Sequence, residues 1–194
     1  GIFPVDVAKL EIDFLAADGH KWMLGPEGAG LFYIRQQHLD LLRPLMVGWH
    51  SVANPFDFSK IDWEPRQQAA RYEGGTQNMV GTLGYGASLE LLQKLGVSTT
   101  ASPVADQILA YTQFAQSELK KLGAEIHGSS AAEHLSGITS FTIPNVELAQ
   151  LRSQCMDVGV VLSHRDGRLR ISPHAYNNQE DLDRLLSLIR TCIR

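Results

Sequence analysis

Apolar residues form two short runs near the start of the chain. Residues 12–17 are mostly apolar and end at Asp18-Gly19, and residues 30–35 form a second run after a glycine-rich turn. Short continuous apolar runs bounded by turn residues are typical of buried strands. We therefore expect two buried strands, the first of which leaves its C-terminal end open at residues 20–22.

Helical periodicity begins at residue 79. A helix is predicted over residues 79–95, ending at Gly96, and another over residues 103–122, ending at Gly123. The first helix places on one face Val80, Leu83, Ala87 and Leu91. Residues 43–78, by contrast, are rich in aromatics and proline and have little periodicity. Long irregular segments of this kind are usually functional or buried against a partner.

The last 70 residues change pattern. A strand is predicted over 137–143, a helix over 146–157, and a hairpin around Asp166-Gly167, where the turn residues favour positive φ. A final helix follows, with Asn177 and Glu180 as its capping box. This order indicates a small α+β unit. We expect residues 1–96 and 97–194 to form separate domains.

Composition limits the partners. The formal net charge is −4 and no basic run is present, so we expect no nucleic-acid partner. No apolar stretch approaches the roughly 20 residues that span a bilayer, and no leader peptide is evident, which favours a cytoplasmic protein without a membrane partner. Cys155 and Cys192 are expected to be reduced core residues. The seven histidines show no metal-ligand spacing, so no metal is expected.

Three residues are candidates for chemistry. Lys21 would be a nucleophile if burial lowered its pKa, but most lysines are simply exposed, and periodicity alone favours that alternative. Thr76 precedes a helix and would either bind an anion or cap the helix. Strand alternation turns Arg170 away from the core, where it would either bind a carboxylate or remain a surface arginine.

Three sequence segments carry a resemblance to a known family. They are Asp13–Arg35 with its Gly-His-Lys motif, Arg71–Asn78 with Gly-Gly-Thr, and Leu169–Asn178 with Arg-Ile-Ser and Tyr-Asn. In this order and spacing the chain resembles class V aminotransferases, the fold-type I pyridoxal-phosphate (PLP) enzymes. The family includes cysteine desulfurases, selenocysteine lyases, kynureninases and isopenicillin N epimerases.

The resemblance implies a role for each motif. Lys21 would hold PLP as a Schiff base, and His20 would lie close to the PLP phosphate. Many relatives carry a serine phosphate ligand where this chain has Asp18. Gly75 and Thr76 would reach the phosphate of a neighbouring subunit, which implies a homodimer. Arg170 would bind the α-carboxylate of an amino-acid substrate.

The resemblance also implies the fold class. It is α/β: the C-terminal part of a PLP-dependent transferase large domain, followed by a small α+β C-terminal domain. In the family, the residues that stack on the cofactor ring and pair with its nitrogen precede the lysine. The chain opens at Gly1 without a methionine. We therefore expect a fragment that retains no PLP and is inactive alone.

Several reactions remain open. A desulfurase needs a nucleophilic cysteine on the loop before Arg170, and residues 157–169 contain none. A cysteine desulfurase is therefore ranked below an aminotransferase, lyase or epimerase. Cysteine desulfurase, selenocysteine lyase and amino-acid epimerase remain the alternatives to an aminotransferase. A different class of function is a non-catalytic dimerisation or interaction module, with residues 43–78 as its partner surface. The sequence does not decide whether His164 and His174 belong to a site.

Overall fold

The computed structural model describes residues 1–129 and 131–193 of the 194-residue chain. It divides into two compact units, Gly1–Ser102 and Pro103–Arg194. The boundary that the sequence predicts, after residue 96, falls six residues inside the first unit. Both units contain helices and strands, so the mixed α/β class is confirmed.

The first unit contains a two-stranded antiparallel sheet. Strand β1 is Phe14–Asp18 and strand β2 is Gly30–Ile34, paired from Phe14 with Ile34 to Asp18 with Gly30. The strands are where the sequence predicts them, but their burial is not. Phe14, Leu31 and Phe32 are each exposed by about two-fifths. The prediction of buried strands is wrong in this structure because a sheet of only two strands leaves much of both faces uncovered.

Residues 19–29 connect β1 to β2 in a compact loop that carries Lys21 and is called the Lys21 turn below. The Gly19 amide donates to the Ala29 carbonyl at 2.9 Å, and the Gly25 amide donates to the Gly19 carbonyl at 2.8 Å. A Cβ on Gly25 would lie 2.8 Å from the ring of Tyr85, and one on Gly19 would lie 2.9 Å from the Ala29 oxygen. Only glycine fits both positions, because the backbone and the aromatic ring approach too closely for a side chain.

Helix α1 spans Met79–Lys94 and ends before Gly96, whose φ is +84°. The face that covers the Lys21 turn contains Gly81, Tyr85 and Leu92 rather than the larger apolar stripe. Val80 and Leu83 of that stripe are 83% and 71% exposed. Tyr85 packs against Gly19 and Gly25 of the turn, and Ser88 donates to the Leu24 carbonyl at 2.8 Å. The more apolar face of α1 is therefore uncovered.

The buried guanidinium of Arg71 holds the irregular segment before α1, residues 43–78, against residues 39 and 40 through hydrogen bonds. Arg71 is 4% exposed and donates to the carbonyl oxygens of Arg66 and Leu39 and to the Asp40 carboxylate, at 2.7, 2.9 and 3.2 Å. Tyr72 donates to the Leu39 and Leu42 carbonyls. Apart from two single-turn 3-10 helices, Trp49–Ser51 and Ala69–Tyr72, the segment is irregular, as its sequence predicts.

The second unit is built on a four-stranded antiparallel sheet in the order β3-β4-β6-β5. The strands are β3 Glu125–His127, β4 Thr139–Thr142, β5 Ser163–Arg165 and β6 Arg168–Ile171. Asp166 and Gly167 join β5 to β6 with φ of 50° and 68°. Positive φ at both central residues is what a two-residue hairpin requires, so the hairpin prediction is confirmed. Strand β3 has no counterpart in the sequence-based prediction.

Three helices contribute to the same core as this sheet. They are α2 Pro103–Lys121, α3 Leu148–Asp157 and α4 Gln179–Cys192. The core side chains that are fully shielded from solvent are Ala115, Leu119, Phe141, Cys155, Leu169 and Ile189. The cap of α4 differs from the prediction by one residue. Asn178 and Asp181 form the capping box, while Asn177 donates to the Asp181 carboxylate.

No helix within residues 1–129 and 131–193 is long and apolar enough to cross a bilayer. Over the same residues, no cluster of three or more histidine, cysteine or acidic side chains is arranged to hold a metal ion.

Candidate active site

Lys21 lies in the turn immediately after β1. Its carbonyl accepts a hydrogen bond from the Leu24 amide at 3.1 Å, and Leu24 adopts a φ of +56°. The Lys21 side chain is 63% exposed, and Nζ donates to Oδ2 of Asp18 at 2.6 Å. The burial on which the nucleophile alternative depends is therefore absent from this structure. The Lys21 amine is thus accessible to solvent while it is paired with the Asp18 carboxylate.

Asp18 is the electrostatic centre of this turn. Its hydrogen bond with Lys21 is the main cause that lowers the pKa of the Asp18 carboxyl below its usual value. The Nε2 atom of His20 lies 4.0 Å from the same Oδ2, and its ring is about one-third exposed. The side chains of His20 and Lys21 thus both approach one carboxylate oxygen of Asp18.

A shallow cleft of about 640 Å³ opens along the sheet beside this turn. It is lined by parts of both strands, by the glycine-rich turn and by one residue of the segment before α1: Ala16, Ala17, Asp18, His20, Gly28, Ala29, Gly30, Leu31, Phe32 and Glu73. Its floor is mainly backbone and small side chains. A flat ring could lie along such a surface, with His20 and Asp18 at its rim.

Gly75 and Thr76 lie in the loop that leads into α1. The residue that caps the helix is Asn78, whose Oδ1 accepts from the Gly81 amide at 2.9 Å. Thr76 is exposed, and its hydroxyl makes no hydrogen bond to any described residue. Thr76 is thus not the helix cap, and its hydroxyl is available for a ligand. The indole of Trp49 flanks Gly75, because a Cβ there would lie 3.3 Å from Nε1.

Arg170 lies on the face of β6 opposite the core. Its neighbours Leu169 and Ile171 are 0% and 7% exposed, as strand alternation predicts. Its Nη2 is 3.5 Å from the hydroxyl of Ser163 on β5, a long contact. Its Nε is buried and has no hydrogen-bond partner among the described residues. An unpaired buried guanidinium nitrogen is costly and is expected to have a ligand.

Two histidines that the sequence left undecided now have locations. His164 is exposed on β5, opposite Leu169. His174 is buried, its ring stacks on Tyr176, and its Nδ1 accepts from the Ala175 amide at 2.7 Å. His174 therefore has a packing role in the second unit.

Cys155 is fully buried on α3, and burial raises the pKa of its thiol. A thiolate, rather than a thiol, is the nucleophile in cysteine chemistry. Both described cysteines are free. Cys155 is thus an inert core side chain in this conformation.

Sequence reasoning missed two features of the site. The Asp18–Lys21 ion pair follows an i, i+3 spacing that was present in the sequence, but strand residues at that spacing do not meet unless a turn brings them together. Tyr85 is 7% exposed, covers the turn and donates to the Met23 sulfur at 2.9 Å. The sequence offered one sign of this packing, because Tyr85 stands between two glycines on the predicted helix.

These groups suit a ligand that carries an aldehyde and a phosphate. Lys21 supplies an accessible amine beside the cleft, and His20 lines the cleft with an imidazole. Thr76, whose hydroxyl has no partner among the described residues, does not line it. An amine condenses with an aldehyde, and donors at a helix N-terminus bind phosphate. The carboxylates of Asp18 and Glu73, which both line the cleft, disagree with this ligand, since they would repel a phosphate.

Comparison with known proteins agrees with this chemistry. The model of the class V aminotransferase family matches residues 1–185. A protein of Pyrococcus abyssi named "Probable cysteine desulfurase" is 25% identical over 207 residues, which cover 100% of this chain and 50% of that protein. The chain spans about half the length of the curated relatives it matches.

Two solved structures share the fold. An apo cysteine desulfurase from Thermococcus onnurineus superposes with a TM-score of 0.85 at 22% identity, over 96% of this chain and 48% of that one. The cystine C–S lyase C-DES, in complex with its reaction product cysteine persulfide, superposes with a TM-score of 0.84 at 24% identity, over 97% and 49%. Because the family model covers nearly all of the sequence, the chain belongs to the class V aminotransferases, a family of enzymes whose cofactor is PLP.

Proposed function

We propose that this chain carries the cofactor lysine of a PLP-dependent enzyme that acts on an amino acid, and that Lys21 is that lysine. The observation that carries the proposal is the placement of an accessible Lys21 amine at a strand end, beside His20 and a cleft, in a chain matched to the family over residues 1–185.

Each side chain would have a separate task. PLP supplies an aldehyde and a ring that withdraws electrons from the substrate Cα. Lys21 would hold the cofactor through its amine and would move the substrate Cα proton. His20 flanks the cofactor at the rim of the cleft. Gly75 and Thr76 donate to a phosphate. Arg170, with its unpaired buried Nε, binds the substrate carboxylate through a two-pronged contact.

Among the family's reactions, we favour transamination, elimination or epimerisation over desulfuration. Residues 157–169 contain no cysteine, and the nearest one, Cys155, is fully buried with a raised pKa. Desulfuration remains the second candidate because the Pyrococcus abyssi relative is named for it. The C–S lyase C-DES makes cleavage of a carbon–sulfur bond in cystine a concrete case of the favoured elimination class.

The choice between these reactions has a direct test. Release of alanine and sulfide from cysteine at enzymatic rates in the presence of a thiol reductant, abolished by Cys155→Ala, would establish the desulfurase. We expect the Cys155→Ala enzyme to retain whatever activity the parent has. A Cys192→Ala variant is the matched control, since it removes the other free thiol.

We further propose that the isolated 194-residue chain neither retains PLP nor turns over substrate. Three observations support this. The Lys21 side chain is 63% exposed, the chain spans about half the length of its relatives, and strand and helix faces in the first unit are uncovered. A water-exposed site lacks the low dielectric that strengthens catalytic charges.

Absorbance tests both proposals. PLP bound covalently to a lysine gives a visible band that borohydride bleaches. In a protein that includes the coding sequence upstream of Gly1, we expect this band, its loss in Lys21→Ala, and its retention in a control, Lys9→Ala. The isolated chain with stoichiometric PLP should show none. Absence of the band from the longer protein would favour a non-catalytic interaction module, for which the exposed aromatics of residues 43–78 are the candidate surface.

We propose that the enzyme is a cytoplasmic homodimer. The free Thr76 hydroxyl, which no described residue of its own chain engages, supports a ligand supplied from outside that chain. Sedimentation velocity of the longer protein should give a dimer. A monomer that still binds PLP through Lys21 would contradict the homodimer while leaving the cofactor assignment intact.

A further inference from the structure

The Asp18–Lys21 contact has no task in the proposed function. Nζ and Oδ2 are 2.6 Å apart, and the two side chains are 63% and 46% exposed. The other titratable groups that face Asp18 are few. His20 lies 4.0 Å away in the same turn, Tyr85 packs against the turn from α1 with a pKa raised by burial and then by Asp18, and Glu73 lines the adjacent cleft.

We propose that Asp18 is a positioning residue that restrains Lys21, so that the lysine reacts with a cofactor aldehyde only after it leaves this ion pair. This inference rests on the proposed role of Lys21. Its consequence is that Asp18 slows cofactor capture as long as the ion pair is formed.

The chemistry of capture explains the restraint. A protonated lysine has no lone pair, so it must first release a proton to water or buffer. The neutral nitrogen then attacks the aldehyde carbon, and the carbonyl oxygen leaves as water while the nitrogen becomes doubly bonded to carbon. Nζ donates to the Asp18 carboxylate at 2.6 Å, so this contact must break before the nitrogen can reach an aldehyde.

The size of the effect follows from exposure. A contact with about half of each side chain in water is screened, which limits the expected change to about two- to five-fold. The hydrogen bond with Lys21, which is the main cause of the lowered pKa of Asp18, is consistent with an ion pair formed over the whole neutral range. Glu27, in the same turn, offers a matched comparison because it makes no hydrogen bond or ion pair with any described residue.

The test measures covalent capture rather than activity. The chain is incubated with excess pyridoxal or PLP, the adduct is trapped with cyanoborohydride, and labelling of the Lys21 peptide is followed by mass spectrometry. Asp18→Asn should label about two- to five-fold faster than the parent chain at pH 7.5. The gain should be the same for both aldehydes and should vanish near pH 11, where lysine amines are neutral. Glu27→Gln should match the parent, and circular dichroism should show both variants folded.

Every other outcome has a defined meaning. Equal labelling of Asp18→Asn and parent overturns the inference and leaves the role of Lys21 standing. A gain confined to PLP overturns it as well, since the carboxylate would then act by repelling phosphate. A gain that persists at pH 11 also refutes it, because the charged pair of Lys21 with Asp18 is largely absent there. Failure of Lys21 to label in any variant also overturns the inference, whereas the role of Lys21 in the proposed function is tested separately by the absorbance band of the longer protein.

Discussion

Replacing Tyr85 with alanine should destabilise the turn that carries Lys21. The Tyr85 ring is 7% exposed and packs against Gly19 and Gly25, where a Cβ would lie about 3 Å from its atoms. A buried aromatic side chain removes about 150–250 Å² from water, which corresponds to about 4–6 kcal/mol at ~25 cal/mol per Å² as an upper bound. Since a truncated site relaxes in part, we expect a loss of about 3–4 kcal/mol.

Tyr85→Phe separates packing from hydrogen bonding. It keeps the ring and removes only the hydroxyl, which donates to the Met23 sulfur at 2.9 Å. Sulfur is a weak acceptor, so the expected loss is no more than about 1 kcal/mol.

Tryptophan fluorescence is the assay suited to this pair of variants. All three tryptophans, Trp22, Trp49 and Trp63, lie in the first unit, so their signal reports its unfolding without interference from the second. Urea titrations give the free energy of unfolding by linear extrapolation. If Tyr85→Ala and Tyr85→Phe lose the same free energy, the ring does not stabilise the turn and the packing argument is refuted.

Three further predictions follow from the same structure. Gly25→Ala should destabilise the first unit by about 1–3 kcal/mol, because its Cβ would lie 2.8 Å from an aromatic ring. Gly86→Ala, whose Cβ would have no atom within 4 Å, should instead stabilise α1 by about 0.5–1 kcal/mol in the same urea assay. Hydrogen bonds from Asn177 and Asn178 lower the pKa of Asp181. Its contribution to stability is therefore complete above about pH 4 and is lost as pH falls through the lowered pKa. Asp181→Asn should flatten this acid dependence in thermal melts followed by circular dichroism. A thiol reagent such as Ellman's should modify Cys192 in the native chain and Cys155 only in denaturant, and rapid native reaction of both would contradict the burial of Cys155.

The sequence predicted best where one residue type determines the backbone. Gly96 and Gly123 end their helices at φ of +84°, a conformation that side chains disfavour. Asp166 and Gly167 define the hairpin for the same reason. At these positions the physical constraint is local, so no knowledge of the rest of the fold was needed.

Packing partners were not predictable in the same way. Periodicity placed Val80 and Leu83 on one face of α1, but which face is covered depends on what packs there, and the Lys21 turn packs on the narrower face with Tyr85. The cap of α4 failed for a different reason. Asn177 and Asn178 each have an acidic residue three positions later, so the sequence offers two equivalent capping boxes.

The candidate site was predicted by motif rather than by geometry. Lys21 lies at a strand end, Thr76 precedes a helix and Arg170 faces away from the core, as expected. The exposure of Lys21 and its pairing with Asp18 were not predicted, because the sequence gives no information about how a turn orients two side chains or how much of a surface is covered.

Arg71 determines where the irregular segment can be altered. It ties Leu39 and Asp40 to Arg66, and next to it the backbone of residues 51–53 pairs with that of residues 64–66. These contacts hold the two ends of the segment together, while its tip around residues 57–60 is exposed. Insertions such as an epitope tag should be tolerated at that tip. Arg71→Lys, by contrast, should loosen the segment, because one ammonium cannot replace a planar guanidinium that donates to three separate oxygens.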